Sequence, residues 1–151
     1  MITEAAEEHI EWIIRHRIEM FREMGWNDDD LQFTEQATRE FLDESWDQAP
    51  TAFLAIEDDV VQGGCSVTFY KTFPSRHNPT GQDAYVLNMF VEPQFRKKGI
   101  ATRLLKHILD ICKSEGIGRV ALHSAPMGIG IYESLGFEKV ENYYRMIIRR
   151  K

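Results

Sequence analysis

The sequence predicts an α+β fold, an α/β sandwich in which a mixed, mostly antiparallel sheet of about seven strands is flanked by about four helices. Three observations carry this prediction. Apolar residues recur at helical spacing near the start of the chain, and two apolar runs joined by Asp58-Asp59 then read as a hairpin. A second helical stripe lies between two strand-like runs, which predicts a right-handed β-α-β crossover.

Two helices are predicted before the hairpin. A short extended start precedes the first helix, which spans residues 7–24 and ends at Gly25. Five apolar residues share one face of this helix: Ile10, Ile13, Ile14, Ile18 and Phe21. Cap-type residues at 27–30 begin the second helix, which ends before Pro50.

The middle of the chain is predicted as three strands and a loop. The hairpin joins TAFLAIE (51–57) to VVQGGCSVTFYK (60–71), where Gly63-Gly64 is expected to mark a bulge. Breaker residues predict a loop from 72 to 83. AYVLNMFV (84–91) is almost wholly apolar, which is typical of a strand covered on both faces, and Pro93 ends it.

The remaining elements complete the predicted order. An apolar stripe predicts a helix from Thr102 to Gly116, and RVALHS (119–124) predicts the next strand. A short helix at 129–135 and a turn at Gly136 follow. Residues 137–140 and 143–148 are predicted as two final strands, which brings the total to seven.

Composition indicates an ordinary globular domain, because 43% of the 151 residues are hydrophobic and 28% are charged. No repeat or linker divides the chain, so we expect a single domain over residues 1–151. No run of about 18 apolar residues could span a bilayer. The first residues, MITEAAEEHIEW, carry acids where a signal peptide has a basic segment. We therefore expect a soluble, cytoplasmic protein with no membrane partner.

Charge and cysteine usage disfavour two classes of ligand. The net charge of −6 and the sequence pI near 5.4 argue against nucleic acid, which is bound mainly through basic residues. Cys65 and Cys112 are isolated, so we expect two reduced, buried thiols. The histidines lack metal-ligand spacing, so no metal is expected.

The run QFRKKGIATR, residues 94–103, is the exception to the acidic composition. Arg96, Lys97, Lys98 and Arg103 occur there with no acid among them, and Gly99 interrupts them just before a predicted helix. The first N–H groups of a helix lack partners, and its dipole is positive at that end. A strand-to-helix turn of this kind can hold a phosphate, and a pyrophosphate would suit it.

Other interpretations of anion-binding patterns fit less well. A P-loop needs Lys directly after its second glycine, whereas Ile100 follows Gly99. GIGIYE, residues 128–133, has Glu133 in place of the third glycine of a dinucleotide fingerprint. A merely solvated basic surface is the remaining alternative.

Two motifs in the right order give the chain a resemblance to a known family. RKKGIA (96–101) matches R/Q-x-x-G-x-G/A, and IYESLGF (131–137) resembles a Y-x-x-x-G-F segment one helix and one strand later. RHRIEMFREMGW (15–26) resembles the first helix of many members. The chain therefore resembles the GNAT N-acetyltransferases over nearly its whole length.

This resemblance implies a GNAT acyl-CoA N-acyltransferase fold whose fourth and fifth strands diverge to hold the pantetheine of acetyl-CoA, the cosubstrate. Backbone groups of Met89, Phe90 and Val91 would pair with the pantetheine. The pyrophosphate would lie on backbone amides of a seven-residue turn: Arg96, Lys97, Lys98, Gly99, Ile100, Ala101 and Thr102. Tyr132 matches the family tyrosine that protonates the leaving thiolate, although a core tyrosine is the structural alternative.

Some positions depart from the family pattern. Ala125 stands where many members carry a pantetheine-binding Asn, so Ser124 or the Met127-Gly128 backbone would make this contact instead. Glu92 and His123 are both candidates for the general base, but a turn residue and a structural histidine are the alternatives. Neither is assigned as catalytic.

The acceptor is predicted only as a primary amine, on a small molecule or a peptide. Trp26, the acids at 28–30 and the loop at 72–83 fall where the family lines its acceptor site, and an acidic, aromatic rim would suit a cationic amine. A charged helix start is the alternative for those acids. A coenzyme A-binding regulatory module without turnover, a nucleotide-phosphate binder and homodimer formation are also left open.

Overall fold

The computed structural model describes residues 1–124 and 129–149 of the chain. The strands are β1 (Ile2–Glu4), β2 (Thr51–Glu57), β3 (Val60–Lys71), β4 (Gln82–Val91) and β5 (Arg119–Leu122). The helices are α1 (Ile10–Glu23), α2 (Asp28–Ser45), α3 (Ile100–Ser114) and α4 (Ile129–Ser134). Among the described residues, no helix is both long and apolar enough to cross a bilayer.

The five strands form one mixed sheet in the order β1-β2-β3-β4-β5. The first four pair antiparallel, whereas β4 and β5 pair in parallel and are connected through α3. Asp58 and Asp59 join β2 to β3 with φ values of 49° and 63°, as the tightest hairpin turns require. The predicted hairpin and the β-α-β connection are therefore confirmed.

Two helical layers cover the two faces of this sheet. Alternate residues of β2 belong to different core clusters, Phe53 on one face and Leu54 on the other. Helix α3 fills the first cluster with Leu104, Leu105 and Ile108, which are completely buried. Helices α1 and α2 form the second. The stripes seen in the sequence thus face opposite sides of one sheet.

A bulge in β4 coincides with the point at which β4 and β5 part. Gly64 pairs with Phe90, but Ser66 pairs with Leu87, so Cys65 opposes the two residues 88 and 89. The pairing of β4 with β5 begins at Asp83 and ends at Val86. Residues 87–91 consequently have no partner on the β5 side among the described residues, and a gap opens beside them.

The two strands predicted after Gly136 are wrong. Residues 137–149 have no regular secondary structure, so the described sheet contains five strands rather than about seven. Large apolar side chains there stay exposed, among them Tyr144 and Ile148. A two-stranded hairpin is only marginally stable unless it packs against another surface. A strand-like sequence pattern alone is therefore not enough to form strands here.

Candidate active site

The gap beside β4 presents backbone groups with free hydrogen-bonding capacity. The Glu92 N–H donates to the Gln62 carbonyl of β3 at 2.8 Å. Since N–H and C=O directions alternate along a strand, those of Val91 point away from β3, toward the side that β5 has left. After the bulge, Met89 repeats this orientation two residues earlier. Polar backbone therefore lines one wall of the gap.

The turn after β4 forms a cradle of backbone N–H groups. Lys97 and Gly99 have left-handed φ values of 63° and 80°, and Gly99 is the N-cap of α3. The Arg96 N–H donates to Pro93, and the first intrahelical bond runs from the Arg103 N–H to the Gly99 carbonyl at 3.0 Å. Between them, the N–H groups of residues 97–102 have no acceptor in the described part of the chain.

This turn has the chemistry of an anion site. Successive N–H groups around a left-handed residue make a concave donor surface, and the helix dipole adds positive potential. A Cβ placed on Gly99 would meet nothing within 4 Å, so the space in front of the turn is open. The side chains of Lys97 and Lys98 are exposed and add mobile charge.

Arg96 differs from its basic neighbours because its side chain is already bonded. Its Nε donates to the Val91 carbonyl at 2.8 Å, and one Nη donates to Glu23 at 2.5 Å. The guanidinium also lies 5.3 Å from the centre of the Phe90 ring. Arg96 therefore joins the end of α1, the end of β4 and the cradle.

Tyr132 lies on α4 and packs on the same core cluster as Met89, which borders the gap. It is half-buried, and its ring centre lies 6.1 Å from that of Phe137. Burial raises the pKa of Tyr132, and the nearby Cys65 thiol acts in the same direction. The phenol is therefore protonated at neutral pH and can donate a proton.

Glu92 is fully engaged in an ion pair. Its side chain is 5% exposed, and its two oxygens accept from Arg15 at 2.8 and 3.0 Å. This double hydrogen bond holds the pKa of Glu92 below its ordinary range. Such a carboxylate is a weak proton acceptor, so the ion pair disfavours Glu92 as a general base.

His123 follows β5 and is paired with Tyr85 of β4. The Tyr85 hydroxyl is hydrogen-bonded to Nδ1 of His123, and the Tyr143 ring lies 5.1 Å away between ring centres. Burial raises the pKa of Tyr85. His123 itself is exposed, so its other ring nitrogen can reach solvent or a ligand. Histidine is the side chain most often used for proton transfer.

The acids at the start of α2 lie in its first helical turn, which Asn27 caps. The Asn27 side chain accepts from the Asp30 N–H at 2.8 Å, and Asp28 lies 3.8 Å from Arg22. Trp26 stacks on Phe21 with 3.9 Å between ring centres. The structure thus supports the helix-start interpretation for the acids, and it leaves an aromatic wall at the end of α1.

Comparison with known proteins adds the family. The profile of the Acetyltransferase (GNAT) family matches residues 17–137, which is most of the chain. The chain belongs to the GNAT acetyltransferase family. The family predicted from RKKGIA and IYESLGF is therefore confirmed.

Curated relatives match over a shorter segment. N-alpha-acetyltransferase 50 of Danio rerio is 32% identical over 78 residues, which are 47% of this chain and 46% of that protein. The [ribosomal protein bS18]-alanine N-acetyltransferase of Salmonella typhimurium is 34% identical over 68 residues, 41% of this chain and 46% of that one. The aligned segment thus spans less than half the length of these relatives.

Solved structures match over almost the whole chain. A GCN5-related N-acetyltransferase from Ralstonia eutropha superposes with a TM-score of 0.88 at 23% identity, covering 97% of both chains. A predicted acetyltransferase from Clostridium acetobutylicum, with acetyl-CoA, gives 0.83 at 22% identity, covering 97% of this chain and 95% of that one. At such identities these likenesses establish the GNAT fold.

Within this GNAT fold, the structure brings most of the predicted site residues together. Met89, Val91, the cradle at 97–102 and Tyr132 surround the gap or its end. The backbone of Phe90 instead pairs with Gly64 of β3, and the Arg96 N–H is already bonded to Pro93. Ser124 is exposed just after β5, whereas Ala125, Met127 and Gly128 lie outside the described residues. Sequence reasoning missed Tyr85 as the partner of His123. This pair depends on the parallel register that sets Tyr85 opposite Ala121, which the sequence pattern does not reveal.

Proposed function

We propose that this protein transfers an acetyl group from acetyl-CoA to a primary amine by direct attack in a ternary complex. The single observation that carries the proposal is the cradle of free N–H groups at residues 97–102, which opens next to the gap beside β4. An anion held at the cradle places an extended chain along the exposed backbone of β4. A pyrophosphate joined to a pantetheine arm has that shape.

Membership of the acetyltransferase family supports this proposal, and so do the named relatives, which acetylate an N-terminus or a ribosomal alanine by their descriptions. The Clostridium structure with acetyl-CoA supports the donor. The groups of this chain also match the chemistry of acetyl-CoA. A diphosphate suits six unpaired N–H groups and two free lysines, and an amide-bearing arm suits the N–H of Val91 and the polar backbone of Met89, since the Val91 carbonyl already accepts from Arg96.

The reaction requires one proton to leave the amine and one to reach the sulfur. The amine nitrogen attacks the thioester carbonyl carbon, the C–S bond breaks, and an N-acetyl product and coenzyme A result. A backbone N–H of β4 that faces the gap would donate to the developing oxyanion, and Met89 is the first residue after the bulge with that orientation. Tyr132 would donate its phenolic proton to the leaving thiolate.

We assign the general base to His123. In the tautomer whose Nδ1–H donates to the Tyr85 oxygen, the ring is held in place and the lone pair of Nε2 can accept the amine proton. Exposure of the ring lets the proton then pass to solvent. Glu92 is the weaker candidate because Arg15 occupies both of its oxygens.

The test is acetyl-CoA turnover by thiol release across a broad panel of amines, together with calorimetry using acetyl-CoA, coenzyme A and ADP. We expect both coenzymes to bind and some amines to be acetylated. Absence of coenzyme binding would refute the proposal. Tight coenzyme binding without acetylation of any amine would instead favour a regulatory module on the same fold.

The base is tested with His123→Gln. We expect turnover to fall by roughly 100-fold, in the usual range for loss of a general base, and the acidic limb of the pH–rate profile to disappear. His107→Gln is the matched control, since His107 lies on α3 and packs on Phe53. An unchanged pH profile in His123→Gln would remove His123 from this role.

A further inference from the structure

Arg17 is a half-buried cation with unused hydrogen-bond donors. It lies on α1, its Nη1 donates to the Asn88 side chain at 3.4 Å, and its guanidinium lies 4.9 Å from the centre of the Phe21 ring. A guanidinium carries five N–H donors. Among the described residues, no carboxylate lies within 4.0 Å of it, so its charge has no counter-ion there.

The neighbouring arginines of α1 make this position unusual. Arg15 is bonded to Glu92, and Arg22 lies 3.4 Å from Glu19 and 3.8 Å from Asp28. Both of those side chains are about half exposed. Arg17 is more deeply placed than they are and has the weaker partner. Desolvating a charge without compensation is costly, so a cation kept in this state suits a ligand that supplies the charge.

Asn88 sets the position of this guanidinium at the bulge. Its backbone is left-handed, with φ of 60°, and the residue is 8% exposed. The Asn88 amide nitrogen donates to the Ile13 carbonyl at 3.4 Å, which turns the amide oxygen toward Arg17. The guanidinium therefore lies against the residue that precedes Met89, where the gap begins.

Arg17 and the Tyr85–His123 pair share one face of the sheet. Ala84 and Val86 are buried in the α3-side core, so Tyr85 faces the opposite side, where α1 lies. Asn88 contacts α1 directly. Asn88 lies three residues after Tyr85 along β4, a distance of about 10 Å. A small molecule can reach both places at once.

We propose that Arg17 binds an acidic group of the acceptor, so that the acceptor is a small amine with a carboxylate or phosphate close to its amino group. This inference rests on the proposed acetyl transfer. A guanidinium can take either acid through two parallel N–H donors. The Phe21–Trp26 stack lies beside it and would shield the ion pair from water. The inference also replaces the cationic acceptor suggested by the acids at 28–30, which lie in the first turn of α2.

Matched amines test this inference. With acetyl-CoA saturating, we compare phenylalanine with phenethylamine, lysine with cadaverine, and phosphoethanolamine with ethanolamine. An alanyl peptide amide provides an N-terminal amine that carries no acidic group. We expect kcat/KM to favour an acid-bearing member by roughly 10- to 100-fold, the usual effect of a charged hydrogen bond. The carboxylate and phosphate pairs decide which acid is preferred. Equal rates for acid and decarboxylated amines, or a preference for the peptide amide, would overturn the inference.

Variants locate the effect. Arg17→Gln should remove the preference mainly through a higher KM, Arg17→Lys should keep part of it, and Arg22→Gln on the same helix should leave it intact. Because Arg17 lacks a counter-ion, Arg17→Gln should not lower the melting temperature. A large fall in melting temperature with an unchanged substrate preference would show a structural residue instead.

A binding measurement separates this inference from the proposed function. The side-chain Nε signal of Arg17 in ¹⁵N-labelled protein is followed by NMR during titration with acetate and with inorganic phosphate, using chloride as the reference. We expect a saturable shift with at least one of the two, which Arg17→Gln abolishes and Arg22→Gln keeps. A signal that neither anion moves would overturn the inference, whether or not any amine is acetylated. Acetylation only of amines that lack an acidic group would overturn the inference while leaving the proposed function intact.

Discussion

Tyr132 combines burial with a protonated phenol, which suits an acid for the leaving thiolate. Burial raises its pKa, so the proton is retained at neutral pH. We expect Tyr132→Phe to lower turnover by roughly 100-fold, within the range for a general acid, because only the hydroxyl is removed. Thiol-release kinetics measure the rate, and calorimetry should show acetyl-CoA affinity nearly unchanged.

The matched control for this substitution is Tyr144→Phe, since Tyr144 is 97% exposed. It should leave turnover unaltered. If Tyr132→Phe keeps the full rate, the ring serves only to pack against Phe137 and the core.

His16 is a buried histidine that the proposed chemistry does not use. It is 1% exposed, its Nδ1 would lie 2.9 Å from a Cβ placed on Gly64, and its Nε2 has no hydrogen-bond partner in the described part of the chain. Desolvation lowers the pKa of His16 to about 4, although Glu92 at 3.8 Å opposes this. The ring is therefore neutral in the folded protein at pH 7.

This depressed pKa makes stability depend on pH. The unfolded chain binds a proton at His16 below about pH 6.5, whereas the folded chain resists protonation down to about pH 4. Stability should therefore fall by roughly 2 kcal/mol between pH 7 and pH 5. Urea unfolding measures it. His16→Gln should flatten this interval, and the exposed His77→Gln should not; an equal slope in all three proteins would contradict the assignment.

At the scale of elements, the junction of β4 and α3 depends on backbone conformation more than on side chains. Gly99 has φ of 80° and faces open space, so Gly99→Glu adds backbone strain, bulk and a negative charge where an anion would bind. We expect acetyl-CoA affinity to fall by at least about 100-fold, or roughly 2.7 kcal/mol. Calorimetry provides the measurement.

Gly116 offers a control with matched backbone strain. It also has a positive φ, 75°, and open space around it, but it lies past the other end of α3. Fifteen helical residues separate the two ends by about 22 Å. Gly116→Glu should cost similar stability and keep acetyl-CoA binding. Equal loss of binding in both variants would mean that strain, and not the cradle, is responsible.

For the whole molecule, local sequence signals predicted what local physics determines. The Asp58-Asp59 turn, the stripe of α3 and the glycine before it could be read from neighbouring letters, because turn geometry and helix periodicity involve only nearby residues. The tail at 137–149 was misjudged because strand formation needs an edge to pair with and a face to cover, and neither is visible in the segment itself.

Pairs distant in sequence were not predictable in the same way. Tyr85 meets His123 only through the parallel register of β4 and β5, and Arg17 meets Asn88 only through the packing of α1 on the bulge. The Arg96 side chain was expected to add positive charge at the anion site, but it donates a hydrogen bond to Glu23, the last residue of α1. These contacts depend on the fold as a whole.

Two buried carboxylates, one near the start of β4 and one just after its end, connect the parts of the molecule. Glu92 binds Arg15 of α1, and Asp83 binds Arg119 of β5 at 2.5 Å while accepting from Thr72 and Asn78. These hydrogen bonds hold the pKa of each carboxyl group below its ordinary range, with the arginine as the largest cause. A depressed carboxyl pKa stabilises the fold above the unfolded value, near pH 4, and this stabilisation is lost as pH falls further.

Acid unfolding should therefore proceed in two intervals. His16 weakens the fold between about pH 6.5 and pH 4, and the two carboxylates weaken it below about pH 4. Asp83→Asn with Glu92→Gln should reduce stability at pH 7 by roughly 1–3 kcal/mol per site, since each arginine loses a charged partner but stays half exposed. The same double variant should show a flatter dependence below pH 4 and an unchanged one above pH 5. Urea midpoints at pH 7, 5 and 3 measure both intervals, and a double variant that keeps the full loss below pH 4 would show that other groups control it.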